Sequence, residues 1–483
     1  MPAPAGEVGR LEKDIHAEIA GRLVMVGFGS IGQGVLPLIL RHLAVDRDRI
    51  TIFTAEERGR DVAQACGIRD FRVQPLTPGT YRDQLEPLLR DSAFLLNLSY
   101  DVSSVALIEL CHRLGVPYLD SCIEPWAGGY FDPLLTPTQR SNYGQRELAL
   151  AVNRQDWPHR PTCVVTHGAN PGLISHFAKR ALLNMASDVG LRRAAPAQRE
   201  DWARLAMALG VRVIHDAERD FQRSAHPKEP GEFVNTWSTG AFAGEGSQPA
   251  ELGWGTHEKT LPECGRRHPT GGQAAIYLER PGVSVRVRSW TPLQGPYHGF
   301  LITHSESVAI ADYLTLREDG RVVYRPTVHY AYHPCDDAVM SIFEYCGRGY
   351  LLQPRGRLLR EDIVSGIDEL GILLCGNPKG VYWYGSRLAI DEARALAPYN
   401  NATTLQTAAG VLGGLIWAIE NPGRGVVEPD AMDHERIMRI AQPYLGTIIG
   451  VWDSWTPLQD RERLFPEDID RDDPWQFKNV LVS

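Results

Sequence analysis

A chain of 483 residues is too long for one ordinary hydrophobic core, so two or more domains are expected. Lysine and arginine total 50 against 59 aspartates and glutamates, a net charge of −9, which argues against a nucleic-acid surface and suits a small cationic partner. The eight cysteines, Cys66, Cys111, Cys122, Cys163, Cys264, Cys335, Cys346 and Cys375, form no Cys-x-x-Cys pair, which predicts reduced thiols, a cytoplasmic setting and no metal site.

Residues 1–22 read as a polar lead-in, and the first 20 lack the apolar core of a signal peptide. The run Leu23-Val-Met-Val26 then reads as a buried parallel strand. It leads into Gly27-Phe-Gly29-Ser30-Ile31-Gly32-Gln-Gly34 and an apolar-periodic helix. Strand, glycine turn and helix in this order make the G-x-G-x-x-G dinucleotide fingerprint. Gly27 permits the turn, Gly29 lets the backbone approach a pyrophosphate, and Gly32 lets the helix pack close to the strand. Ser30 and Ile31 open the helix, whose free N–H groups face the phosphates. The competing explanation is an ordinary glycine-rich strand–helix turn. The next strand, 49–54, should end in an acid that holds the ribose 2′-OH, but it ends in Thr54. Glu56 or Glu57 can take that role, whereas Arg58 would favour a 2′-phosphate. On this balance NAD is preferred over NADP.

The alternation continues with a helix over 55–66, a short strand at 71–74, a helix over 80–89, a strand at 94–98, a helix over 102–114 ended by Gly115, and a strand at 117–120. This is the pattern of an α/β domain with a doubly wound parallel sheet. Ligands bind beyond the C-terminal strand ends of such sheets, where Asn97 and Asp101 lie, and at the next strand end the stretch 120–124. A strand at 164–166 runs into a turn holding Asn170, then a helix over 173–185. Beyond it, 211–214, 282–289 and 300–306 alternate like strands of a half-exposed sheet. The expected organisation is a Rossmann-type domain over 1–154, a second α+β domain over 155–394, an apolar helix within 395–425 returning to the first domain, and a wrapping segment over 426–483. That segment carries Trp455, Pro457, Phe465, Pro466 and Trp475, and the apolar stretch 408–419 is too short to span a bilayer.

Strand alternation over 300–306 would put Phe300, Ile302, His304 and Glu306 on one face, a base beside an acid. The same spacing equally describes a hydrogen-bonded core histidine with a surface glutamate. Ala217-Glu218-Arg219-Asp220, taken by itself, reads as a solvated charge run. Trp237 stands among polar residues, either as core packing or as an indole face for a cation. Glu245, in a glycine-rich stretch, reads as a solvated loop carboxylate. No catalytic lysine or serine triad is visible. A redox cofactor combined with carboxylates and an indole suggests amine oxidation, the carboxylates drawing in ammonium groups and His304 taking a proton.

With these residues in view, the chain resembles the bacterial homospermidine synthases. The matching stretches include VGFGSIGQG, CIEPW, HGANPG, HDAERD, VNTWS, VRSWTP, FLITHSES, VYRPTVHYAYHPCDDAV, GIDELG, YWYGS and the terminal LFPEDIDRDDPWQFKNVLVS, and the similarity covers almost the whole sequence. It implies a Rossmann domain joined to a saccharopine-dehydrogenase-like domain, a homodimer, and a cytoplasmic enzyme with neither nucleic-acid nor membrane partners. The implied reaction condenses two putrescines to homospermidine and ammonia, with NAD holding a hydride and returning it, so that the enzyme is a transferase. The resemblance implies that Trp237 holds the cationic intermediate. It implies that Glu218, Asn170, His304 and Glu306 bind amino groups or move protons, and that Asp101, Glu245 and Asp368 set a negative field at the entrance. The chain departs from the family at Thr54, where an Asp is expected. The rival enzyme is a saccharopine- or carboxynorspermidine-type dehydrogenase, which should line its site with arginines. The rival of another class is a non-catalytic NAD sensor.

Overall fold

The computed structural model describes residues 14–90, 92–192 and 194–482; the first 13 residues of the expected lead-in lie outside them. The first sheet has seven parallel strands. Their order is Val426–Val427, Cys163–Val164, Tyr118–Asp120, Phe94–Asn97, Leu23–Val26, Ile50–Thr54 and Asp70–Val73. Leu23–Val26 is the strand at which chain order reverses, and it is wholly buried, as its unbroken apolar run demands of a sheet covered on both faces. Helix Ser30–His42 follows it directly.

Ten strands make the second sheet. At its centre Val213–Asp220 lies parallel to Thr327–His333 and antiparallel to Ile367–Asn377. Gly380–Ala389 and then Thr447–Asp453 extend one side. Helices Leu173–Asp188 and Ala402–Glu420 sit between the sheets, and residues from both sheets share one apolar core with them. Ala402–Glu420 has 19 residues, longer than the apolar stretch read from the sequence. It is apolar enough to cross a membrane, but 89% of its apolar window is buried inside the protein. Trp455 and Trp475 bury against Trp383, whereas Phe465 is exposed.

The helix expected over 80–89 is confined to Tyr81–Leu85, and four further elements differ from expectation. The helix expected over 55–66 is confined to Arg60–Ala65, because Gly59, with φ +90°, turns the chain there. The strand at 211–214 becomes Val213–Asp220, so the supposed solvated charge run is a buried central strand. The strand at 282–289 shifts to Arg286–Thr291 behind a single 3₁₀ turn at Gly282–Ser284. The strand at 300–306 does not exist as such. Gly295–Phe300 ends the strand, and Ser305–Tyr313 is a helix with His304 at its N-cap.

Candidate active site

A cavity of about 520 Å³ opens beyond the C-terminal ends of the parallel strands and is closed on its far side by the second sheet. One end is the glycine loop. Gly27 has φ +86°, and a Cβ there would lie 2.5 Å from the Ser99 amide. Gly32 packs helix to turn, since a Cβ would lie 2.9 Å from the Gly27 carbonyl, and it does not line the cavity. Gly29 lines it with no atom within 4 Å of where a Cβ would stand. No acid occupies the first turn of Ser30–His42, so its amide groups keep their affinity for an anion. This bare cradle, open at Gly29, fits a dinucleotide pyrophosphate.

Ile31, Thr54, Glu56 and Arg58 also line this end. Glu56 stands 3.6 Å from Arg58, while Glu57 is spent on Arg60. The Ser30 hydroxyl donates to the Trp237 carbonyl, tying the loop to the opposite half. Asn97 does not reach the cavity. It is buried, donates to the Tyr118 hydroxyl at 3.1 Å, and accepts from the Ser99 amide at 3.2 Å, so it props the loop that does.

The other end is acidic. Val213–Asp220 is buried along its whole length, and strand alternation puts Asp216, Glu218 and Asp220 on one face. Glu218 Oε2 accepts from the Tyr330 hydroxyl at 2.5 Å and from Asn170 Nδ2 at 2.6 Å. The same Asn170 nitrogen lies 3.1 Å from Asp216 Oδ2. Burial pushes the Glu218 carboxyl up to about 7 and Asp220 to about 6. Asp216 is held well above its ordinary range by burial and by Glu306. Nothing in the sequence singles out Tyr330 and Asp216. Each sits on a buried strand beside partners far away in the chain, so no local spacing marks them.

His304 Nδ1 meets Glu306 Oε1 at 3.0 Å, and its Nε2 meets Glu245 Oε2 at 3.4 Å. Its ring stacks on Tyr330 with centroids 4.3 Å apart. Burial alone would lower the imidazole pKa, but Glu306 and Glu245 outweigh it and hold His304 well above its ordinary value. This surrounding favours the charged imidazole, with an N–H directed at each carboxylate. Burial raises Glu306, yet His304 brings it below the usual range, so it is the charged partner. Asp216, His304 and Glu306 offer ligand-type atoms within 4.8 Å of one another.

Glu245 lies on helix Gly240–Ser247 and faces the cavity, not solvent. Asp101 lines the mouth, exposed, with φ +65°. Asp368 does not stand at the entrance. It is fully buried, held by the Thr403 hydroxyl behind the cavity wall, and raised by burial and by Glu218. Half-buried Trp237 lines the cavity, donates Nε1–H to the Tyr332 hydroxyl at 3.3 Å, and packs on Phe242 with centroids 5.7 Å apart. The basic residues lining the cavity, Arg58 and Arg360, neighbour Glu56 and Gln33 of the glycine-loop end; the acidic end has neither Lys nor Arg among its described lining residues.

The saccharopine dehydrogenase NADP-binding domain family matches residues 23–164, and the saccharopine dehydrogenase C-terminal domain family matches residues 168–451. A homospermidine synthase of Blastochloris viridis is 52% identical over 473 residues, 97% of this chain and 98% of that protein. Another from Mesorhizobium japonicum is 50% identical over 475 residues, 97% of this chain and 98% of its own length. The crystal structure of a homospermidine synthase from Legionella pneumophila in complex with NAD superposes with a TM-score of 0.90 at 47% identity, covering 98% of this chain and 99% of that one.

Proposed function

The chain belongs to the homospermidine synthases, and from that membership we propose that it condenses two putrescine molecules into homospermidine and ammonia with NAD at the glycine loop. The observation that carries this reading is one cavity with a phosphate cradle at one end and, at the other, carboxylates, an indole and, among its described lining residues, no Lys or Arg. A dehydrogenase for substrates bearing carboxylates needs the opposite lining.

When bound, NAD takes a hydride from an amine-bearing carbon and returns it to the later imine, so net redox is zero. Asp101 and Glu245 draw the dication inward. Glu218, with a pKa of about 7, is poised to take a proton from the substrate ammonium at neutral pH and to give it back when ammonia leaves. Asn170 and Tyr330 hold that carboxyl in one orientation. His304, fixed by Glu306 and Glu245, places a positive charge among the surrounding acids and keeps them from repelling one another. The Trp237 face supports the iminium charge without accepting its proton.

Each putrescine pair should yield one homospermidine and one ammonia, while NADH never exceeds the enzyme concentration. Product analysis with absorbance of reduced cofactor checks this, and stoichiometric NADH release would restore the plain dehydrogenase. We further propose a cofactor unit over 1–154 with 395–425, completed by the sheet strands Cys163–Val164 and Val426–Val427, a substrate unit over 155–394 whose sheet Thr447–Asp453 extends, a wrapping remainder of 426–483, and a cytoplasmic homodimer. Eight free cysteines support the reducing compartment. Light scattering of the purified protein checks the dimer.

A further inference from the structure

Arg360 sits in the turn after strand Arg355–Leu358, on the substrate side of the cavity. Its backbone is held at two points: its amide donates to Asp362 Oδ1 at 2.9 Å, and its carbonyl accepts from Arg394 at 2.7 Å. From this mount the side chain crosses to the glycine-loop half. Nη1 donates to Gln33 Oε1 at 2.7 Å, and Gln33 is itself fixed on the first turn of Ser30–His42 by donating to the Phe28 carbonyl at 2.9 Å. Nη2 is buried and makes no hydrogen bond. Neighbouring arginines are matched by acids, Arg58 by Glu56 and Arg357 by Glu232 and Asp362. Arg360 has a neutral amide for its hydrogen-bond partner; among the described residues Glu361 and Asp61 act on it only at longer range and none forms an ion pair with it.

Arg360 as a whole is partly buried, but a guanidinium N–H shut from water without an acceptor is unfavourable, and a planar fork with a free N–H matches a phosphate. We propose that Arg360 is a phosphate ligand of the dinucleotide, reaching from the substrate half to the loop that cradles the cofactor. This rests on the reading of that loop as the cofactor site. The consequence is mechanical. A cofactor held by both halves is retained between turnovers, which suits a cycle that returns its hydride and has no need to exchange NAD.

The test is a fluorescence titration of the full chain with NAD, NADP and adenosine, for wild type, Arg360→Met, Arg360→Gln and Arg360→Lys. Loss of one charge-assisted contact should raise the NAD dissociation constant about tenfold in Arg360→Met, with partial recovery in Arg360→Lys. Adenosine, which has no phosphate, should bind all four proteins alike. Arg360→Gln keeps a donor for Gln33 and carries the comparison should Arg360→Met fail to fold. Parallel losses for NAD and NADP locate the contact at the pyrophosphate; a loss for NADP alone locates it at a 2′-phosphate. Unchanged affinity for both cofactors overturns the proposal, as does an equal loss for adenosine, which marks general damage. Failure of wild type to bind NAD would instead overturn the assignment of the loop.

Discussion

Glu218 has a carboxyl whose pKa near 7 makes it both useful and costly. Its value is raised above that of an unfolded glutamate, so the folded state favours the neutral form. The stability this contributes is present below about pH 4 and is lost as pH rises through about 7. Glu218→Gln, which cannot ionise, should therefore raise the melting temperature at pH 8 relative to wild type and leave little difference at pH 4, with a gain on the order of 2–3 kcal/mol. The same variant should lose most turnover and flatten the limb of the kcat/KM profile near pH 7. Melting curves and rates over pH 5–9 check both. Trp237 permits a second test at this scale. An indole face contributes about 0.5–2 kcal/mol to a bound cation, whereas truncating a purely structural tryptophan costs about 3–5 kcal/mol of stability. Trp237→Phe should retain part of the turnover and Trp237→Ala little, with both proteins folded and NAD-bound. An unfolded Trp237→Ala, or one with intact turnover, would return the residue to packing.

At the scale of elements, the helix Ser30–His42 and the turn before it act together. A Cβ at Gly29 meets no protein atom within 4 Å, so Gly29→Val puts its side chain into the cradle. It should keep the wild-type melting temperature of the apo protein and lose NAD affinity by about a hundredfold or more, a steric exclusion worth roughly 3 kcal/mol. Unchanged binding would move the cofactor elsewhere. Glu56 and Arg58 at the end of strand Ile50–Thr54 decide the ribose. If the acid dominates, NAD binds more tightly than NADP, and Glu56→Gln narrows the gap. Tighter NADP binding by wild type would make Arg58 the controlling residue.

For the whole molecule, the essential feature is that the two sheets face one another across a single cavity and share a core through Leu173–Asp188 and Ala402–Glu420. The Ser30 hydroxyl on the Trp237 carbonyl and Arg360 on Gln33 are direct ties between the halves. NAD should therefore stabilise the protein as one unit, a single cooperative melt shifting upward with cofactor concentration, not a separate transition of the 1–154 region. Calorimetry with and without NAD reads this directly. Two resolved transitions, one of them insensitive to NAD, would show that the halves unfold independently.

What the sequence determined by itself is what short spacing encodes. The run Leu23–Val26, the three glycines and the apolar helix after them lie within twenty residues, and their conformations follow from local sterics and periodicity. The parallel sheet was legible for the same reason, since each strand and helix carries its own pattern. Where local signals compete, tertiary structure decided. Ala217-Glu218-Arg219-Asp220 has the composition of a surface run, and only pairing with Thr327–His333 and Ile367–Asn377 on either side buries it. Phe300–Glu306 alternates like a strand, yet Gly295–Phe300 runs out of a partner after Tyr332, and the chain turns into a helix that places Glu306 against His304. The resemblance alone would put Asp368 at the entrance, and its strand position buries it. His304 is charged by Glu306, its near neighbour in sequence, together with Glu245 fifty-nine positions away, and the pKa of Glu218 depends on burial and on Tyr330 more than a hundred positions away. Proton affinity is set by burial and neighbouring charge in space, and a sequence orders residues along one dimension only.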